Sequence, residues 1–243
     1  MEKNNKLVTE RRSLKSVILD MEDLVLANAG VDAFDEVFKL VYAKLYDEWQ
    51  AARGGKPKRY LEFRVGGSTA REFAEKVDTL FKKAMGEWPG VFIEGERINL
   101  EPDHLKVCGS FLEDIKLFNS NLQVIDEAFE YLSIKAAKGE KGQYFTPRHV
   151  IDMCVKMLNP TVDEYVIDTA AGSCGFTVHA IFHVWGDVFT AKGPEKWQSD
   201  YAASRVYGLD FDPRSVKIAR ALNLIAGDGK MNVYRANTLD PRT

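Results

Sequence analysis

An aspartate, a run of small residues and two glycines stand together in DTAAGSCG, Asp168 to Gly175. The preceding apolar run YVID (165–168) reads as a short buried strand, which places Asp168 at its carboxyl end. Open parallel sheets bind ligands beyond the carboxyl ends of their strands. Gly172 and Gly175 let the backbone turn tightly and approach a ligand with no Cβ in the way. SRVYGLD (204–210) reads as a second strand and ends in Asp210. An acid there can accept both hydroxyls of a ribose, which a neutral side chain does less well. MNVYRAN (231–237) reads as a third strand and ends in Asn237. Asp, Asp and Asn at three neighbouring strand ends suit an adenosine-containing ligand with a charged, flexible tail. A dinucleotide site calls for G-x-G-x-x-G, whereas here Cys174 stands where another glycine could have helped. A phosphate-free cofactor needs less of a glycine nest, so S-adenosyl-L-methionine fits better than NAD. Taken alone, the two glycines are explained equally by an ordinary β–α turn.

Those strand ends need helices to hold them. FTVHAIFHVW follows the glycine turn, and PRSVKIARALNLIAG follows Asp210. Strand, helix, strand, helix, strand at this spacing predicts a parallel, right-handed β-α-β-α-β unit. Upstream, Thr146-Pro147 reads as a helix start, a hydroxyl cap with proline at the first helical position. Val150, Ile151, Cys154, Val155 and Leu158 would form its buried stripe. Residues 1–140 read as helical. Phe34, Val37, Phe38, Val41, Leu45 and Trp49 fall on one helix face, and AREFAEKVDTLFKKAM is a second amphipathic run ending at Gly86. NLEPDHLKVCGSFLEDIKLF is expected to break into short pieces at Pro102 and Gly109, and 121–137 to form one more helix. The glycine-flanked KGEKG (138–142) marks the domain boundary.

Composition narrows the classes. The chain has 243 residues, 33 basic against 36 acidic, 45% hydrophobic and 28% charged. These are globular values, and the net charge of −3 excludes a general polycation, so nucleic-acid contact would need a local patch. Three cysteines without C-x-x-C spacing fit a reducing, cytoplasmic compartment. No run of about 18 apolar residues predicts a membrane span, and the first residues lack the apolar core of a secretory signal. Arg53, Lys56, Lys58 and Arg59 read as a solvated loop more readily than as phosphate contacts. Lys138, Lys141 and Arg148 flank the expected ligand mouth, where phosphate contact and solvation are equally good readings. His179 and His183 have the spacing of a metal pair, but no Glu follows His179 and no third ligand is evident, so helix packing is expected.

In order along the chain stand GQYFTPR (142–148), DTAAGSCGF (168–176), YGLDFDPRSVKIARALNLIAG (207–227) and RANTLD (235–240). This order resembles the modification subunits of type I restriction–modification systems, adenine-N6 DNA methyltransferases whose motifs run X, I, II, III. The resemblance covers about residues 120–243. It implies an α/β fold class, with a helical N-terminal domain (1–140) followed by a partial Rossmann-like S-adenosylmethionine-dependent methyltransferase domain (141–243). It implies that Gln143, Tyr144, Phe145, Thr146 and Pro147 fold over the methionine end of the cofactor. Asp168 would face the methionine amino group, with Ala170, Gly172 and Gly175 in the turn beneath it. Asp210 would bind the ribose. Asn237 stands where relatives usually carry an Asp contacting the adenine amino group, and an amide can still accept that bond. Thr169 and Cys174 depart from the commoner Pro and Gly. The stretch 186–204 resembles an insertion this family often carries. The implied partners are DNA and the specificity and restriction subunits of the same system.

The family's catalytic motif, Asn-Pro-Pro-(Tyr/Phe), is missing. The only Asn-Pro is Asn159-Pro160, followed by Thr161 and upstream of the cofactor loop. No catalytic residue is therefore assigned. The family's implied strand order is 3-2-1-4-5-7-6, and only strands 3, 2 and 1 are present. The chain is thus expected to be an N-terminal portion of a longer methyltransferase, inactive alone, or to have its sheet completed by another chain. The competing reading is a non-catalytic module binding partner subunits or DNA through its helical domain; a nicotinamide-dependent oxidoreductase is a weaker third.

Overall fold

The computed structural model describes residues 14–25, 27, 29–52, 61–118, 146–186, 195–226 and 232–242. Among the described residues four helices come first: α1 (Leu14–Leu24), α2 (Ala33–Ala52), α3 (Ala70–Glu87) and α4 (Pro102–Leu112). Helix α2 carries the expected stripe, with Phe34, Val37, Phe38, Val41 and Leu45 buried and Trp49 partly so. It is also buried on its other sides, where Leu40, Tyr42, Ala43, Glu36, Lys39, Lys44 and Asp47 lie out of water. α2 is therefore a central helix, and its polar residues serve the surrounding loops. Glu36 accepts the Asn99 and Leu100 N–H groups at 2.9 and 3.2 Å and pairs with Lys39 at 2.7 Å. Asp47 accepts the Phe63 N–H at 2.8 Å, and Glu48 accepts those of Leu117 and Phe118 at 2.8 and 2.7 Å. Loop backbone with no ladder must find partners elsewhere when buried, and here α2 supplies them. Trp88 and Trp49 join Tyr42, Tyr46 and Phe92 in an edge-packed aromatic cluster.

Helix α3 opens on a capping box: Thr69 Oγ1 accepts the Glu72 N–H at 3.3 Å, and Glu72 accepts the Thr69 N–H at 2.7 Å. Pro102 begins α4 as expected, but Gly109 does not end it. The glycine sits inside the helix because a Cβ there would overlap the Phe73 ring of α3 and touch Val65 at 3.2 Å. Its role is close approach of two helices. Gly109→Ala is expected to lower stability by about 1–3 kcal/mol, the scale of overpacking. That outweighs the ~1 kcal/mol Ala gains in helix propensity. A fall in the urea midpoint at unchanged slope is the check.

The second region begins with α5 (Arg148–Leu158), then β1 (Val166–Asp168), α6 (Gly175–Trp185), α7 (Lys196–Arg205), β2 (Val206–Asp210), α8 (Pro213–Ala226) and β3 (Val233–Arg235). The strands form one parallel sheet in the order β1-β2-β3, with Asp168 opposite Gly208 and Asp210 opposite Arg235. The expected parallel strand-helix-strand-helix-strand order is present, with α7 lying largely in the stretch read as an insertion. Helix α5 starts one residue later than expected. Pro147 is its N-cap with an extended ψ of 136°, and its carbonyl takes the Val150 and Ile151 N–H groups, with no side-chain cap. Ile151 and Val155 are buried against Ala180, but Val150 and Cys154 are only half-buried and Leu158 is 80% exposed. The stripe is narrow because, among the described residues, α5 packs chiefly on α6. YVID also differs from expectation: Tyr165 and Ile167 are 67% and 62% exposed. β1 lies at the sheet edge, and the face carrying Ile167 and Tyr234 is uncovered among the described residues. The expected helix 121–137, the boundary KGEKG and the Arg53–Arg59 cluster lie outside the described residues, as do Lys138 and Lys141.

The two regions share a core. Val216, Ile218, Ala219, Ala221 and Leu222 of α8 join the apolar cluster built on α1–α4, so α8 lies between the sheet and the helical region. No described helix is long and apolar enough to cross a membrane.

Candidate functional site

The three strand-end residues do come together. Asp168 ends β1, Asp210 ends β2, and Asn237 lies two residues beyond β3, all half-buried. Main-chain bonds tie the ends: the Ala171 N–H donates to the Leu209 carbonyl at 2.8 Å, and the Ala236 N–H to the Asp210 carbonyl at 3.0 Å. The Thr238 hydroxyl then reaches the Thr169 carbonyl at 3.0 Å, joining the turn after β3 to the loop after β1.

Asp210 has a job that spacing does not disclose. One carboxylate oxygen accepts the Gly172 N–H at 2.8 Å, and the other accepts the Asp212 N–H at 2.8 Å. It thereby braces the glycine turn and the exit of its own strand. Asp212 in turn accepts the Ser215 N–H at 2.7 Å and caps α8. Each Asp210 oxygen keeps a second lone pair for a ligand hydroxyl. Asp168 accepts the Ala170 N–H at 3.1 Å. Burial holds its carboxyl above the usual range, opposed by the Ala170 bond and, more weakly, helped by the charge of Asp210. Two carboxylates at neighbouring strand ends make a place that favours a cation.

The glycines divide their duties. Gly172 has φ +53° and nothing within 4 Å of where a Cβ would stand, so it makes the turn and leaves the mouth open. At Gly175 a Cβ would lie 2.7 Å from the Ile151 side chain, so this glycine seats α5 against α6. Cys174 adopts φ +68°, a conformation costing an ordinary residue roughly 1–2 kcal/mol. Its side chain is fully buried, and Gly208 on β2 makes room for it: a Cβ at 208 would stand 2.8 Å from the Cys174 sulfur. The sulfur points into the core, away from the mouth where a bulky group would obstruct a ligand.

Thr146 and Pro147 are exposed at the start of α5, and Ala170 is exposed in the loop after β1. Gln143, Tyr144 and Phe145 lie outside the described residues. Sequence reasoning passed over Phe211, an aromatic residue 65% exposed immediately after Asp210. An apolar ring one place beyond a strand-end acid, in LDFDP, was the available signal. Thr238, one residue past Asn237, was also overlooked. His183 meets the Asn159 side chain at 2.9 Å, and burial lowers the His179 pKa, helped by Arg148 and opposed by Asp152. Among the described residues no three His, Cys, Asp or Glu side chains cluster to hold a metal.

The chain is similar to several known proteins. The chain is 26% identical over 147 residues to the type II restriction enzyme and methyltransferase RM.BcgI of Heyndrickxia coagulans, a match covering 58% of this chain and 22% of that protein. It is 31% identical over 119 residues to the type I restriction enzyme HindI methylase subunit of Haemophilus influenzae, covering 47% and 24%. A modification subunit from Vibrio vulnificus YJ016 superimposes with a TM-score of 0.58 at 14% identity, over 93% of this chain and 56% of that one, a likeness of fold. The chain thus spans about a quarter of the length of these curated relatives and about half of the solved subunit. Residues 121–242, half of the chain and all three strand ends among them, match the family described as N-6 DNA methylase, and the chain belongs to that family.

Proposed function

We propose that the chain forms the cofactor-binding part of a type I modification subunit, a Rossmann-like DNA adenine-N6 methyltransferase using S-adenosyl-L-methionine. When bound, that cofactor supplies a methyl group activated by a sulfonium. Asp168 would take the methionine amino group, and Asp210 the ribose hydroxyls with its remaining lone pairs. Asn237, whose Oδ1 accepts the Leu239 N–H at 3.2 Å, would take the adenine amino group. Gln143, Tyr144, Phe145, Thr146 and Pro147 would close over the methionine end. Ala170, Gly172 and Gly175 keep the turn compact, and Phe211 would lie against the nucleoside. The target would be an adenine turned out of duplex DNA, with the specificity and restriction subunits of the same system as partners.

The observation that supports this reading most is the Asp168–Asp210 pair at adjoining strand ends, one acid held above its usual range beside a turn left open by Gly172. Calorimetry with S-adenosyl-L-methionine, S-adenosylhomocysteine and NAD tests it. The first two are expected to bind and NAD to give no heat; the reverse order would sink the reading.

Asp168 adds a pH signature. Its folded-state pKa is raised, so the folded chain holds a proton that the unfolded chain has lost between the usual Asp value, about 3.9, and the higher folded one. Stability from this group therefore falls as pH rises through that window. A ligand ammonium at Asp168 favours the carboxylate and reverses the effect. Binding is expected to expel a proton within the window and to tighten as pH rises. Calorimetry in two buffers of different ionisation enthalpy measures that proton, and equal heats would remove Asp168 from the cationic end of the site.

Methyl transfer needs groups to accept bonds from the target amino nitrogen, and the 243 residues contain no Asn-Pro-Pro-(Tyr/Phe). The isolated chain is expected to bind cofactor and to put no labelled methyl on DNA; label above background would overturn this. β1 has no strand on its far side among the described residues. An unpaired edge offers a row of amides and carbonyls, and further polypeptide pairing there is the proposed completion of the sheet. The second reading, a non-catalytic module, is favoured by the same bare edge and predicts partner binding without cofactor heat.

A further inference from the structure

The helical region grips α8 through three cations spaced three residues apart. Arg214 lies 3.5 Å from Asp32. Lys217, 13% exposed at its side chain, lies 3.2 Å from Asp35 at the start of α2 and 2.9 Å from Glu96 in the loop between α3 and α4. Its ammonium also stands 4.4 Å above the Phe92 ring of the same loop. Arg220 bridges farther: its Nη1 donates to the Gly90 carbonyl of that loop, while Nε and Nη2 both donate to the Val233 carbonyl of β3 at 3.0 and 2.9 Å. Gly90 has φ +90°, and a Cβ there would come within 3.2 Å of the guanidinium, so the approach depends on glycine. One loop of the helical region is thus joined, through a single guanidinium, to the first residue of the strand that leads to Asn237.

We propose that Lys217 and Arg220 are positioning residues that couple docking of the helical region to the setting of β3, and through β3 to the nucleoside end of the strand-end site. Lys217 holds the 88–100 loop against α8, and the held loop presents the Gly90 carbonyl to Arg220. Arg220 then fixes the Val233 carbonyl, and β3 stays in register with β2, where the Ala236 N–H meets the Asp210 carbonyl at 3.0 Å. The path touches neither Asp168 nor α5, so its effect belongs to β3 and not to β1. The structural half of this coupling stands on the contacts alone; its effect on a nucleoside rests on the cofactor reading above.

The test uses the 243-residue chain with Asp35→Asn combined with Glu96→Gln, which neutralises the partners of Lys217 far from the strand ends, alongside Lys217→Met and Lys217→Arg. Hydrogen exchange is read at residues 233–237 and, for comparison, at Ile151–Leu158 of α5. The Asn/Gln pair and Lys217→Met are expected to speed exchange at 233–237 on the order of tenfold, within the usual range of coupling between sites. The α5 amides are expected to stay unchanged and Lys217→Arg to restore protection. Adenosine and S-adenosylhomocysteine are expected to lose affinity by the same factor. Unchanged exchange at 233–237 overturns the coupling whether or not any ligand binds, and so does an equal rise at α5, which means general loosening. Faster exchange confined to β3, in a chain that binds no nucleoside even as wild type, upholds the coupling and refutes the cofactor reading instead.

Discussion

Asp210→Ala is expected to lower affinity for S-adenosylhomocysteine by at least about a hundredfold, close to 3 kcal/mol. Two losses combine. The variant removes an ionised acceptor for the ribose hydroxyls, and bonds to charged groups contribute roughly 1.5–3 kcal/mol. It also strips the Gly172 and Asp212 N–H groups of their acceptor, both held at 2.8 Å, so the turn and the strand exit lose their brace. Asp210→Asn separates the two effects. An amide oxygen can still accept one of the main-chain bonds, so this variant is expected to keep the fold and lose about tenfold in affinity. Calorimetry with melting temperature recorded for each variant is the measurement. Unchanged affinity in a folded Asp210→Ala chain would remove this acid from the site.

Glu36→Ala is expected to destabilise the fold by about 3–5 kcal/mol, the cost of leaving one member of a buried ion pair without its partner. Glu36 and Lys39 are 1% and 2% exposed. The carboxylate serves the Lys39 ammonium and two main-chain N–H groups of the α3–α4 loop, and alanine deserts all of them. The double variant Glu36→Gln with Lys39→Met removes both charges of this pair, and its amide oxygen can still serve the loop. It is expected to recover most of the loss. Urea unfolding of the three chains decides the matter; a cost below about 1 kcal/mol for Glu36→Ala would show that the pair is not a structural anchor. Because the same loop carries Gly90, Phe92 and Glu96, Glu36→Ala should also loosen the contacts that hold α8.

Periodicity located α2 and its stripe, yet gave no hint that Glu36, Lys39, Lys44 and Asp47 are buried as well. A helical repeat reports one apolar face; it does not report loops that fold over the opposite side and need acceptors. Gly109 and Gly175 illustrate a related limit. Both looked like backbone devices, a break and a cofactor turn. Phe73 and Ile151, neither adjacent in sequence, show that two helices touch at each; at Gly109 this contact replaces the break, and at Gly175 it stands beside the turn. The apolar YVID reads as a central strand because its composition reflects the environment it suits. Its exposure here reflects the neighbours it has among the described residues.

The order of strands and helices, the polar residue at each strand end and the resemblance to N-6 DNA methylases were all readable from the chain alone. Such features depend on short-range spacing: an apolar run, a turn and the acid that follows. Tertiary structure alone decided that Asp210 braces Gly172, that Gly208 makes room for the Cys174 sulfur, and that Arg220 joins Gly90 to Val233. The partners in these contacts lie 13 to 130 residues apart. Their pairing is set by how α8 packs between sheet and helices, a geometry that no local pattern of residue types encodes.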